Sequence, residues 1–468
     1  MLHPAGWGGW AFEVASVAGG VVTFSKGGNQ EARGNRGCGP MYIEGIEEEL
    51  DSPGEWYLDS KTGLLSVIPP AGVALAQLQS ATVEAPRLKT LVQFRGTAEA
   101  PVTAVSMSGF NLTGAAQTFL DSYEAPSGGD WSVHRGGAVF LQGALNVSLS
   151  SMKFDQLEGN GVTFSNFVKF SSVVDCDFWR TGDSAVVALG STRLSNATAA
   201  EYPQLNFVER NYFDTVGVNM KQTSCYFKAI TFGNTIRDNV CFNGPRAGLN
   251  WNDGFMGGDL VEGNVIFNMV RETGDHGTFN SWDRREWFFS CERSGSSLSG
   301  NCMMPKMIRT QHNFFIGPAG WNMDHDDGST NFHDFSNLVY QGGYKYRDGT
   351  NRNMSSNLMI EATPKFQISG FDTDYYMNNI QVNTGGKVCG PANLGGLAGN
   401  TFLQLATGDG VGGLGARQLA ATDGSNVTRG AQKCDAGTTS PVTAAALLQL
   451  ALKTVAHGSV PLSVLVGQ

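Results

Sequence analysis

The chain is poor in charge, and in positive charge above all. Of 468 residues only 16% are Asp, Glu, Lys or Arg, and 42 acidic residues face 32 basic ones, giving a formal net charge of -10 and an isoelectric point near 5.2. Sequence-blind nucleic-acid binding is driven by a cationic surface, so nucleic acid is not expected as a partner. No apolar run approaches the roughly 18 residues of a membrane-spanning helix, so no membrane span is expected. The opening residues, Met1 to Trp10, lack a basic stretch followed by an apolar one and do not read as a secretory signal. None of the eight cysteines forms a CxxC pair, which argues against structural zinc. GxSxG, HExxH, P-loop and dinucleotide-binding motifs are absent too. The cysteines bracket loops instead, Cys291 with Cys302 and Cys389 with Cys434. Two disulfides closing those loops, or reduced and buried thiols, are the readings left open.

Glycine is plentiful, at 61 residues, and 41% of the chain is hydrophobic, so the composition is that of a turn-rich β protein and not of a disordered chain. Its organising feature is a repeat. An apolar start, an Asn and then large apolar residues recur in FVERNYF, TIRDNVCF, LVEGNVIF, QHNFF, FSNLVY, SSNLMI and MNNIQV. The Asn residues are Asn211, Asn239, Asn264, Asn313, Asn337, Asn357 and Asn379, spaced 28, 25, 49, 24, 20 and 22 apart. VVDCDFW and LSSMKFDQL upstream share the frame with Asn replaced. The LxxLxL pattern of leucine-rich repeats is missing. Short β-rich runs cut by Gly and Asn match a parallel β-helix, three strands to a turn, in which equivalent Asn residues stack along the axis. The expected fold is therefore all-β, with a parallel β-helix over 85–385. A small β region with a hairpin, Trp56 to Asp59 against Leu64 to Ile68, occupies 1–84. A Gly-rich loop and a C-terminal helix (441–456) occupy 386–468, the helix expected to cap an end of the solenoid.

Polar residues converge on one strip. Alternation in GPRAGLNWNDG (244–254) puts Leu249 and Trp251 inward and Asn250 and Asn252 outward. In GPAGWNMDHDDG (317–328) it puts Trp321 and Met323 inward, leaving Asn322, Asp324 and Asp326 outward. RETGDHGTFNSWD (271–283) offers His276, Thr278 and Asn280 outward, with Asp275 at the bend, and GGYKYRDG (342–349) offers Lys345 and Arg347. Crowded carboxylates push one another's pKa upward, the condition for dividing acid and base roles. Glycoside hydrolysis needs two carboxyl groups about one scissile bond. Asp275 and Asp324 are the first pair, with Asp326 or Asp327 able to replace Asp324. They lie one rung apart if residue 313 begins the turn after 264. A Ca²⁺ ion held by Asp324, Asp326 and Asp327, or a plain turn network, is the alternative. Trp7, Trp10, Trp282 and Trp287 offer sugar-stacking rings, although packing is the commoner use. Asp283 is a reserve carboxylate. RTGD (180–183), which echoes RETGD, reads as a turn.

IEGIEEELDSPGEWYLDSKTGLLSVIPP resembles a segment of right-handed, pectin-lyase-like parallel β-helix proteins that act on carbohydrates. RETGDHGTFNSWDR with MDHDDGSTNFHDFSNLVYQGGYKYRDG is more narrowly similar to glycoside hydrolase family 141, which includes fucosidases and xylanases. The resemblance covers about residues 40–385. It implies a glycosidase of cell-wall or algal polysaccharide, with Asp275 and one of Asp324, Asp326 or Asp327 as catalytic carboxylates and His276 beside them. Asn250, Asn252, Asn280, Trp282, Lys345 and Arg347 would then bind substrate. It further implies an extracellular protein and chain before the WGGW motif, so that a truncated first turn is expected; no cofactor is expected to be required, and a monomer is expected. Two other readings stay open. A polysaccharide lyase or uronate epimerase would use Lys345, Arg347 and His276 with an Asp-bound Ca²⁺, and a glycan-binding solenoid would have no turnover.

Overall fold

The computed structural model describes residues 9–28, 41–124, 131–191, 201–254, 257–283, 292–294, 297–299, 306–368, 373–384, 387–391, 394–405, 432–436 and 440–455. Among them, three long parallel sheets of eleven, twelve and eleven strands run side by side. Each turn gives one strand to each sheet. Thr235–Arg237, Val240–Phe242 and Leu249–Asn252 form one turn, and Leu260–Glu262, Val265–Phe267 and Gly277–Trp282 form the next. The coil is a right-handed parallel β-helix, the sense that twisted parallel strands impose on their crossovers. The sheets continue past residue 385 through Gly396–Ala398, Thr401–Leu405 and Ser440–Val442.

The repeated Asn explains the bend between the first and second sheets. The residue before it is left-handed in each turn: Arg210, Asp238, Gly263, His312, Ser336, Ser356 and Asn378 all have φ between 53° and 67°. That conformation favours Gly, Asn and Asp, which accounts for much of the composition. The Asn that follows turns inward. Asn239 donates its backbone N–H (3.0 Å) and Nδ2 (2.9 Å) to Asn264 Oδ1, and Asn264 does the same to Asn313 at 2.9 Å each. Asn264 bonds Asn313 directly, so the spacing of 49 is one turn enlarged by a loop. The ladder runs on through Asn337, Asn357 and Asn379 to Asn400. At its upper end Cys176 replaces Asn and donates its N–H to Asn211 Oδ1 at 3.0 Å. This Cys176 thiol is free and buried, and burial raises its pKa to about 11.

The lumen is filled by stacked equivalents, such as Phe154 on Phe178 (4.3 Å) and Phe178 on Phe213 (5.0 Å). Its charged groups are paired, as buried charges must be: Lys228 with Asp259 and Arg352 with Asp374, while His325 Nε2 is hydrogen-bonded to Asp334. A disulfide joins Cys225 to Cys241 within the core, a pairing the loop-closing scheme did not contain. Cys389 is disulfide-bonded and faces Cys434 across an antiparallel pair. Cys291 and Cys302 lie outside the described residues.

The C-terminal helix, Ala444–Val455, does not cap an end. It lies along the outer face of the second sheet, its Leu447, Leu450 and Ala451 against Leu338, Leu358 and Val382. The outer row there is apolar in turn after turn and requires cover. The expected hairpin forms with Trp56–Asp59 antiparallel to Leu64–Val67, and a second pairs Phe12–Ala18 with Val21–Gly27.

Candidate active site

The third sheet carries the polar strip. Its strands Leu249–Asn252, Gly277–Trp282, Trp321–His325, Gly343–Tyr346 and Thr363–Phe366 are consecutive neighbours. Register sets one outward row of Asn250, Asn280, Asp324, Lys345 and Lys365. Leu249, Phe279, Met323 and Tyr344 alternate inward and are buried in the core. Asp275 stands at the bend before its strand in the left-handed conformation (φ 56°), one turn from Asp324.

Lys345 is the centre of the cluster. Its Nζ lies 3.2 Å from Asp275 Oδ1, 3.2 Å from Asp324 Oδ1 and 3.3 Å from Asp326 Oδ2. Burial alone would lower the lysine pKa, but the three carboxylates outweigh it and raise it. Arg347 lies 2.6 Å from Asp327 Oδ1 and 3.6 Å from Asp326 Oδ1. Both cations are thus committed to carboxylates. The Asp324 carboxyl is fully buried, and burial pushes its pKa well above the ordinary range, Lys345 opposing and Asp326 and Asp275 reinforcing the shift. Asp275 is the most open of the three, its side chain 48% exposed against 15% for Asp326.

His276 is buried behind Asp275. Arg246 donates to its Nε2 from Nε (3.1 Å) and Nη2 (2.6 Å), and Thr273 Oγ1 lies 3.1 Å from Nδ1. Burial, then Arg246 and Lys345, hold the imidazole pKa well below its usual value. The ring is therefore neutral, with both nitrogens engaged, and serves as a spacer between Arg246 and the bend. The Arg246 guanidinium lies 3.7 Å from the Trp131 ring centre.

Asn280 Nδ2 donates to Asn250 Oδ1 at 2.8 Å, leaving Asn250 Nδ2 and Asn280 Oδ1 buried with no partner among the described residues, as is Asn252 Oδ1. Trp282 faces outward beside Asn252 but is buried, as is Trp10, so neither presents an open ring. Trp7 and Trp287 lie outside the described residues. Trp321 departs from strict alternation. It lies on the outside, half-buried, with Nε1–H donating to Asp275 Oδ1 at 2.8 Å. Asn322 turns inward instead, its Nδ2 donating to the carbonyls of Phe315 (2.8 Å) and Tyr340 (3.0 Å). The left-handed Gly320 (φ 72°) at the preceding bend offsets the alternation by one residue. Among the described residues no group of three or more His, Cys, Asp or Glu is placed to hold a metal ion. The Asp324, Asp326 and Asp327 side chains turn to Lys345 and Arg347.

No family model matches the sequence, and no curated protein matches it either. Solved structures similar to the chain include the following. One is described as a glycoside hydrolase, with 16% identity over 69% of this chain and 57% of that one, at a TM-score of 0.48. A second is XylC in complex with xylose, with 8% identity over 61% and 51% and a TM-score of 0.39. A third is PfbA, a surface adhesin of Streptococcus pneumoniae, with 10% identity over 69% and 77% and a TM-score of 0.34. The chain spans little more than half the length of the first two. At these identities and scores the likenesses say nothing of substrate or catalytic residues.

Proposed function

We propose that the protein hydrolyses glycosidic bonds of a polysaccharide outside the cell, with Asp275 and Asp324 as the working carboxyls. The observation that carries this reading is the single ammonium of Lys345 shared by Asp275, Asp324 and Asp326, one buried and the others reaching the surface. Acid and base roles separate when neighbouring carboxyls differ in their hold on a proton. Burial raises the Asp324 pKa above that of an open carboxyl, which assigns Asp324 the acid role. Asp275 meets the sugar as nucleophile or base. The Asp275 and Asp324 oxygens both lie 3.2 Å from Lys345 Nζ. These two oxygens are therefore at most twice that distance apart, close enough for both carboxyls to reach one scissile bond. Lys345 covers Asp324, so delivery of the proton requires the ammonium to move aside, toward Asp326. The buried disulfide Cys225–Cys241 accords with an oxidising compartment.

The pairing of the cations disfavours a lyase or epimerase. Those reactions need a cation to neutralise the sugar's own carboxylate, and Lys345 and Arg347 already serve Asp side chains.

The test is incubation with pectic, xylan and fucosylated polysaccharides, following reducing ends and ultraviolet absorbance together. The expected result is reducing ends without an absorbing unsaturated product. Asp275→Asn and Asp324→Asn should each lower kcat by about 10²–10⁴-fold in protein that circular dichroism shows to be folded. Full activity in both variants, or an absorbing product, would overturn the assignment.

A further inference from the structure

We propose that the Trp321 indole is a stacking platform for a pyranose ring of the bound glycan, set beside Asp275 and Asp324; this rests on the glycosidase reading above. The argument begins with Gly343, on the next strand. A Cβ there would come within 2.5 Å of Trp321 Cε3 and 2.6 Å of Cζ3. Gly343 has an ordinary φ, so glycine is required there for space and not for conformation. The Cε3–Cζ3 edge of the indole therefore lies against the bare backbone of Gly343, and the side chain is half-buried on the outer side of the sheet. The bond from Nε1–H to Asp275 Oδ1 fixes the ring's rotation about that position. Two ammonium groups lie over the ring, Lys345 Nζ at 5.7 Å and Lys365 Nζ at 5.2 Å from its centre, and a sugar would take the place of the more exposed Lys365.

Each part has a use for a sugar. The face of an indole is electron-rich and attracts the polarised C–H groups on the apolar face of a pyranose. Lys365, on the outward row and partly exposed, is within reach of that sugar's hydroxyls. Asp275 is bonded to the platform itself, so a ring stacked on Trp321 is held in register with the carboxylate that meets the reacting carbon. A flat aromatic anchor with a few convergent polar groups is the usual form of a small-ligand site.

The test uses the Asp324→Asn protein, which binds without turnover, and an oligosaccharide of whichever polysaccharide in the panel above the wild type cuts or binds. In calorimetric titration, Trp321→Ala in that background should weaken binding about tenfold or more. Trp321→Phe should keep most of the affinity, because a ring face remains. Gly343→Ala should match the loss in Trp321→Ala by lifting the ring, with neither carboxyl replaced. In the active enzyme Trp321→Ala should raise KM more than it lowers kcat. If Trp321→Ala and Gly343→Ala bind at wild-type affinity while Asp275→Asn abolishes turnover, the platform is refuted and the glycosidase reading stands. If no glycan of the panel is bound or cut by the wild type, both fall. If Trp321→Ala unfolds at markedly lower temperature, the Trp321→Phe and Gly343→Ala titrations decide.

Discussion

The outer face of the third sheet has two ends, and the same two rows run through both. At one end the rows hold Val187 and Leu189, then Phe227 and Ala229, under a cover of Trp131 and Val133. At the other they hold Asn250 and Asn252, Asn280 and Trp282, then Asp324 and Lys345. The backbone is alike throughout, so the difference lies in side chains alone. Where the outer row is apolar, a segment of the chain packs on it and makes a small second core. Where it is polar, amides are left half-paired and carboxylates crowd about one lysine. Trp131 marks the border: it stacks on Phe227 (5.2 Å) and carries Arg246, which holds His276. The apolar end thus braces the bend from which Asp275 emerges.

That division is broken most directly at Phe227, whose ring is fully buried between strand and cover. Phe227→Ala should cost about 3–5 kcal/mol of stability, measured by denaturant unfolding. A cost under about 1 kcal/mol would mean that the cover is not a second core.

The bends differ as the rows do. Asp183 stands before the apolar end as Asp275 stands before the polar end, in the echoing RTGD and RETGD. Asp183 is buried, accepts from Tyr123 at 2.8 Å, and burial raises its pKa to about 6 from an ordinary 3.8. A folded-state pKa above the unfolded value confers stability below the unfolded pKa that is lost as pH rises through the folded one. Between about pH 4 and 6 the wild type should therefore lose about 3 kcal/mol that Asp183→Asn keeps, at about 1.4 kcal/mol per unit. The variant should be the more stable protein at pH 7 and comparable below pH 4. An equal difference at both pH values would show that Asp183 ionisation is not the cause.

The repeating parts of this architecture were legible in the sequence and the singular ones were not. Seven ladder Asn residues stood in one frame because every turn needs the same left-handed bend followed by an inward amide, and a need that recurs leaves a period. The outward placement of Asn250, Asn280, Asp324 and Lys345 followed from alternation, which a two-residue pleat enforces. Alternation failed at Trp321, where Gly320 at the bend offsets the phase by one residue and Asn322 is drawn in to satisfy the carbonyls of Phe315 and Tyr340. The Cys225–Cys241 bond joins strand environments on different sheets, a proximity set by the coil and not by local spacing. The helix was legible as apolar, but its seat depended on which residues of the second sheet face outward. Which carboxylate pairs with which cation is likewise a matter of side-chain reach. Sequence showed the crowd of Asp, Lys and Arg but not that Lys345 stands at its centre.

Asn250 offers the finest test of the comparison, because it is the first polar residue after Val187 and Phe227 in the same row. Asn250→Val extends the apolar row by one rung. The substitution removes a buried Nδ2 that has no partner among the described residues, which is a gain, and deprives Asn280 Nδ2 of its acceptor, which is a cost of similar size, each about 1–3 kcal/mol. The two nearly cancel, so stability should change by less than about 1 kcal/mol. If the half-paired amides are there to meet sugar hydroxyls, kcat/KM should nevertheless fall about tenfold or more, since a site built to hydrogen-bond discriminates strongly once a partner is removed. The opposite pattern, several kcal/mol of lost stability with unchanged kinetics, would make the amide pair a structural clasp and move the functional border two rungs further along, to Asp324.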